Sequence, residues 1–207
     1  MLAHIYHNEG DTLMKLLSAL LMLCTISLFA GEPKPVDIGA PVPTFALNNY
    51  DGKAIDLKSV LKENKYTVIM FISTECPVSN GYNERMVSLN EKYSKKGISF
   101  LGVNANKEED VKMIAAHCKE HGFTFPVLKD VGNKIADMYA AQVTPETFVV
   151  DAKGKLVYHG RIDDSRKLDK VKSHDLADAL DALLAGKAIS NPTAKAFGCT
   201  IKRVGED

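Results

Sequence analysis

Of the four cysteines in the chain, at positions 24, 76, 118 and 199, Cys76 stands where local chemistry would activate a thiol. It lies in Thr74-Glu75-Cys76-Pro77-Val78-Ser79, directly after the apolar run Tyr66-Thr67-Val68-Ile69-Met70-Phe71-Ile72. A β-rich run that ends in a Cys-Pro step and then turns amphipathic places the thiol at the mouth of a strand–loop–helix unit. There the first-turn N–H groups and the positive end of the helix dipole favour an anion. A thiolate is such an anion, and it is the nucleophilic form of cysteine. Glu75 works against ionisation, because a neighbouring carboxylate disfavours a second negative charge. Further along, Val143-Thr144-Pro145-Glu146-Thr147-Phe148-Val149-Val150-Asp151 sets a proline at the start of a β run, where proline is tolerated. A Thr-Pro step that must lie beside a reactive cysteine is a candidate cis peptide.

The other thiols read differently. Cys118 falls in mid-helix on an apolar face with Val111, Ile114 and Ala115, the position of a small core residue. Cys199 sits in Phe197-Gly198-Cys199-Thr200-Ile201-Lys202, a tail that follows Asn191-Pro192. It is the candidate partner that would resolve an oxidised Cys76; a tail thiol without a role is the alternative. Cys76 with His159 or His174 could suggest a metal site, but nothing has compact ligand spacing. No metal and no cofactor are expected.

These thiols need a scaffold, and the elements for one are legible. Phe45 to Leu47 and Ala54 to Leu57 flank an Asp51-Gly52 turn and predict a small hairpin. Ser59 to Glu63 adds a helical turn. Tyr66 to Ile72 has the uncharged, β-branched and aromatic make-up of a buried central strand. Tyr82, Met86, Leu89 and Tyr93 form the sheet-facing stripe of the next helix, with Ser79 or Asn80 as its cap. Ile98 to Asn104 is a second core strand, Lys107 to His121 a helix and Val131 to Ala141 a shorter one. Thr147 to Val150 and Leu156 to His159 form a closing hairpin, and Leu176, Leu180, Leu183 and Leu184 mark a terminal helix. The reading is an α/β fold, a mixed sheet with helices on both faces.

The two cysteine and proline segments, in that order, resemble the thioredoxin-like superfamily. The match is to its peroxiredoxin-like redoxin branch, the alkyl hydroperoxide reductase/thiol-specific antioxidant type. Supporting marks are Phe45-Ala46-Leu47 with Tyr50-Asp51-Gly52-Lys53, Gly97-Ile98-Ser99-Phe100-Leu101-Gly102-Val103-Asn104, Phe125-Pro126-Val127-Leu128-Lys129-Asp130 and Gly160-Arg161-Ile162-Asp163-Asp164. The resemblance implies a thioredoxin-like fold with an N-terminal hairpin extension. It also implies Cys76 as the single cysteine at the first thioredoxin position, with Ser79 where the second usually stands. Resolution then needs glutathione, a partner or a distant cysteine. It further implies that Pro77, Ser79, Thr144 and Pro145 shape the substrate groove, with Pro145 cis. Forcing Cys76 into a peroxidatic role puts Ser73 at an acceptable place but Ile69 where that family has proline. Arg161 could stabilise the thiolate or pair with Asp163 or Asp164.

Three functions follow. The first is an exported thiol–disulfide oxidoreductase with Cys76 as nucleophile and Cys199 as candidate resolver. Its partner would be a protein or low-molecular-weight thiol or disulfide. The second is a thiol peroxidase, and the third a non-catalytic binding protein on the same fold. Lys+Arg and Asp+Glu both number 26, so no charge excess points to nucleic acid.

Export rests on the N-terminus. Leu16 to Phe29 is an apolar run shorter than the roughly 20 residues of a membrane span. Lys15 precedes it and Ala30-Gly31-Glu32-Pro33 closes it. That is the anatomy of a signal peptide over residues 1–30, with translation starting at Met1 or Met14. A redoxin domain over 41–186 and a tail over 187–207 follow. A periplasmic or secreted protein, free of the membrane after cleavage, is the expectation. The oligomeric state is open.

Overall fold

The computed structural model describes residues 35–205, and the signal-peptide reading lies outside them. Strands β1 (Ala46–Asn48) and β2 (Ala54–Asp56) form the expected hairpin, paired antiparallel with Leu47 opposite Ile55. Asp56 then caps helix α1 (Leu57–Glu63), its side chain accepting from the Lys58 N–H, so the helix starts earlier than Ser59.

The central sheet has five strands. β3 (Tyr66–Phe71), β4 (Ile98–Asn104) and β5 (Val127–Lys129) run parallel, while β7 (Glu146–Asp151) lies antiparallel to β3 and carries β8 (Leu156–Gly160) outside it. The order is β5-β4-β3-β7-β8. A short strand, β6 (Val143–Thr144), precedes β7, and β9 (Cys199–Thr200) pairs with it antiparallel, placing Thr144 opposite Cys199.

Strand β3 is buried on both faces, which explains its uncharged sequence. Val68, Met70 and Ile72 face one core with Met86, Tyr93, Ile114, Cys118, Leu176 and Leu180. Ile69 and Phe71 face the other with Leu57, Leu61, Ile135, Tyr139 and Phe148. Helices α3 (Asn83–Ser94), α4 (Val111–Glu120) and α6 (Asp175–Leu184) therefore cover the first face. Helices α1 and α5 (Lys134–Met138) cover the second.

Two local expectations are corrected. Neither Ser79 nor Asn80 caps the long helix: Cys76 caps a one-turn helix α2 (Pro77–Asn80), and α3 begins after Tyr82 without a side-chain cap. The helix expected from Lys107 begins at Val111, because Asp110 caps it by accepting from the Met113 N–H.

The segment beyond α6 does not trail away. It runs beside β8, with the His159 N–H donating to the Pro192 carbonyl at 3.0 Å and the Ala194 N–H to the His159 carbonyl at 3.0 Å. A Cβ at Gly160 would collide with the Ala194 backbone, so this close approach requires glycine there.

Candidate active site

The Cys76 loop is shaped by hydroxyl and amide groups. The Ser73 Oγ accepts from the N–H of Cys76 at 2.9 Å and from that of Glu75 at 3.2 Å. The Ser79 Oγ accepts from the Ser73 N–H at 3.2 Å, and Asn80 Nδ2 donates to the Thr74 carbonyl at 2.9 Å. Pro77 occupies the first position of α2, where its missing N–H costs nothing and its φ suits the helix. The backbone N–H of Ser79 points at the Cys76 sulfur from 3.4 Å. A sulfur in that position receives a hydrogen-bond donor that favours its anionic form.

Opposite the cysteine, Thr144-Pro145 is a cis peptide. The Thr144 carbonyl oxygen lies 3.4 Å from the Cys76 sulfur. The structure thus brings Cys76, Pro77, Ser79, Thr144 and Pro145 into one locus. Cys199 completes it: Cys76 and Cys199 form a disulfide with their Cα atoms 5.9 Å apart, inside the roughly 4.4–6.8 Å such bonds span. Cys76 is the single cysteine of its loop, and the structure pairs it with the distant candidate Cys199. The local second position is Ser79, but a partner comes from a segment 123 residues away.

The tail reaches Cys76 because its backbone is held. β9 hydrogen-bonds along Val143–Thr144, and the Ile201 N–H donates to the Gln142 carbonyl at 3.0 Å. A Cβ on Gly198 would strike the Thr144 carbonyl, so the Gly-Cys step is what allows the sulfur in. Phe197 packs its ring 6.5 Å from that of Tyr82. Cys199 is half-buried in an ordered strand, not carried on a free tail.

Charged groups near the loop are committed elsewhere. Arg161 does not reach the thiol; its Nε donates to Asp175 at 2.8 Å, and neither Asp163 nor Asp164 is its hydrogen-bond partner. Arg85 bonds Asp163 at 2.5 Å and the Ser165 carbonyl at 2.8 Å, and lies over the Tyr82 ring at 3.9 Å. Burial pushes the Tyr82 hydroxyl up to about 12. His174 bonds Asp163 at 3.0 Å, and His159 bonds Glu146 at 2.6 Å while stacking on Phe148 at 4.2 Å. Neither histidine joins Cys76. Among the described residues no cluster of three metal-ligating side chains occurs.

Sequence reading missed the group beneath the loop. Glu109 is 3% exposed and lies just before α4. It accepts from Ser73 Oγ at 2.5 Å, Thr74 N at 2.6 Å, Thr74 Oγ1 at 2.9 Å, Asn104 Nδ2 at 2.5 Å and Asn106 Nδ2 at 3.0 Å. The available signal was Asn104-Ala105-Asn106 directly after an apolar strand, since polar residues at a core strand's end must find buried partners. Within Lys107-Glu108-Glu109-Asp110, however, Glu109 looks like one more acid of a solvated helix start.

Fold and site together define a thioredoxin-like redoxin, a mixed sheet presenting a helix-capping cysteine against a cis-proline. Residues 38–159 match the model of the AhpC/TSA family, and the chain belongs to that family. It is 30% identical over 129 residues to "Thiol-disulfide oxidoreductase ResA" of Bacillus thuringiensis (strain Al Hakam), covering 62% of this chain and 72% of that one. A solved structure of an uncharacterized conserved protein from Geobacillus kaustophilus is 34% identical, with a TM-score of 0.77 over 83% of this chain and 94% of the other. The fold is shared with a putative thiol:disulfide interchange protein DsbE from Chlorobium tepidum, 22% identical with a TM-score of 0.54, covering 60% of this chain and 84% of that one.

Proposed function

We propose that this protein is a thiol–disulfide oxidoreductase in which Cys76 attacks and Cys199 resolves. The observation that carries the reading is the Cys76–Cys199 bond formed against Thr144 of the cis Thr144-Pro145 step. In the reduced protein, the Cys76 thiolate attacks one sulfur of a substrate disulfide and displaces the other as a thiolate. Cys199, deprotonated, then attacks the Cys76 sulfur of the mixed disulfide, forms the Cys76–Cys199 bond and releases the second substrate thiol. The protein's two sulfurs lose two electrons and the substrate disulfide gains them. The Ser79 N–H stabilises the Cys76 anion, both before attack and when it departs. Pro77 and Ser79 fix the loop, while Thr144 and Pro145 border the place where the substrate sulfur must arrive. Nothing in this cycle calls for a cofactor.

The test is trapping with oxidised glutathione. Reduced wild type should release glutathione and end as the internal disulfide, Cys199→Ser should stop at a glutathionylated Cys76, and Cys76→Ser should do neither. Equal turnover in Cys76→Ser would overturn the reading. Peroxide consumption by wild type faster than glutathione exchange would favour the thiol-peroxidase alternative. Against that alternative stand the pairing of Arg161 with Asp175 and of Arg85 with Asp163, which leaves neither guanidinium on the thiol.

We infer that the protein acts outside the cytosol. Support comes from the signal-like residues 1–30. Among the described residues no helix is long and apolar enough to cross a membrane. The mature chain from its native host should begin near Gly31, read by N-terminal mass analysis; a chain beginning at Met1 or Met14 would reject this.

A further inference from the structure

Both cysteine-bearing segments are moored to one buried polar group, and that group is not part of either. On the Cys76 side, Ser73 donates its single hydroxyl proton to Glu109, which leaves its lone pairs for the N–H groups of Glu75 and Cys76. On the Cys199 side, Asn106 Oδ1 accepts from the N–H of Lys202 at 2.8 Å, three residues beyond the cysteine. The Asn106 Nδ2 donates to the same Glu109 carboxylate at 3.0 Å. Further bonds brace this bridge. The Lys107 N–H reaches the Lys202 carbonyl at 2.9 Å, and the Lys129 Nζ donates to the Asn106 carbonyl at 2.5 Å. Glu109 and Asn106 are both nearly fully buried, so each lost partner would strand a polar atom away from water. A continuous path of hydrogen bonds thus runs from the Cys76 amide through Ser73, Glu109 and Asn106 to the Lys202 amide.

We propose that Glu109 and Asn106 are positioning residues for the redox pair, resting on the reading that Cys76 and Cys199 interconvert between dithiol and disulfide. They fix the tail against the Cys76 loop so that the Cys199 thiol stays at high effective concentration after reduction. Intramolecular reactions gain most of their advantage from such pre-set geometry, and loosening a tether lowers that concentration without removing any reacting group. Closure with oxidised glutathione forms one protein S–S bond, breaks the glutathione S–S bond and yields two glutathione thiols. Its equilibrium constant therefore reports the effective concentration of the protein pair directly.

The experiment equilibrates the full chain with mixtures of reduced and oxidised glutathione, quenches with an alkylating reagent and measures the oxidised fraction by mass. Asn106→Ala and Glu109→Gln should each lower the oxidised-to-reduced ratio at least about tenfold, a midpoint about 30 mV less negative. A merely structural role would not move this ratio, because loss of stability common to both redox states cancels. Lys202→Pro, at an exposed position, removes the N–H that donates to Asn106 Oδ1 and leaves both buried polar side chains in place. It should act in the same direction and decides the matter if a buried-site variant fails to fold. Variants that titrate within about twofold of wild type, against the tenfold expected, overturn the positioning role and leave the proposed function standing. A wild-type bond that never equilibrates with glutathione overturns the proposed function itself, and this inference with it.

Discussion

Cys76 and Cys118 are nearly equally buried, 4% and 2% exposed, yet they occupy opposite kinds of interior. Cys118 sits among Ile114, Phe123 and Phe125 in the core on one face of the sheet, and burial pushes its thiol up to about 12. Cys76 lies in the loop beyond β3, at the cap of α2, with the Ser79 N–H aimed at its sulfur and a hydroxyl holding its own amide. The difference teaches that loss of solvent does not by itself decide whether a cysteine is inert. What decides is whether the groups that replace water are methyls or N–H donors.

The largest effect that could break this contrast is on turnover. Cys76→Ser should reduce thiol–disulfide exchange by roughly three orders of magnitude or more, as loss of a nucleophile does. Cys118→Ala should leave the rate within about twofold, since Cys118 only fills space beside the sheet and its removal is felt in stability. Comparable losses in both variants would erase the distinction.

Next is the stability difference between redox states. The Cys76–Cys199 bond spans 123 residues of sequence, and a loop of that size predicts about 4–5 kcal/mol of stabilisation on the chain-entropy model. Urea unfolding of the oxidised and reduced protein measures it. A gap under about 1 kcal/mol would mean that the unfolded chain is barely constrained by the bond.

Gly198→Ala tests how closely the tail must approach. The added methyl would meet the Thr144 carbonyl and push Cys199 back, so disulfide closure should slow roughly ten- to a hundredfold. Stopped-flow closure with oxidised glutathione reads it, and an unchanged rate would show that β9 is not the route by which the sulfur arrives.

The smallest effect concerns pH. The Cys118 thiol, raised from 9.0 to about 12, keeps its proton in the native state while the unfolded chain releases it. Its contribution is therefore fully present below pH 9 and is lost as pH rises toward 12, by at most about 1.4 kcal/mol per pH unit. Burial also raises Tyr139 and Tyr158, so the comparison must be with Cys118→Ala, whose stability should fall less steeply over that range. Parallel curves for the two proteins would refute the apolar setting of Cys118.

By itself, the sequence determined the two hairpins, the two central strands and the family, and it singled out Cys76 as the candidate nucleophile, because each is written in neighbouring residues. The uncharged run Tyr66–Ile72, the Cys76-Pro77 step and the Thr144-Pro145 step are local patterns whose meaning depends on periodicity and backbone chemistry. Cap positions were harder: Cys76 and Asp110, not Ser79 or Lys107, begin helices, since the choice among adjacent polar residues turns on which backbone N–H each can reach. Only the tertiary structure decided the partner of Cys76. Cys199 meets Cys76 across 123 residues, and Glu109 meets Ser73 and Thr74 across 36 and 35, where nothing in the intervening residues encodes the pairing. Cys199 is delivered by β9 docking on β6, Arg161 is drawn to Asp175 by the start of α6, and five donors converge on buried Glu109 from the end of β4 and from the loops after β3 and β4. Such convergence exists only once the sheet has set its strands side by side, which is why a residue that looks like a solvated helix-start acid becomes the anchor beneath the redox site.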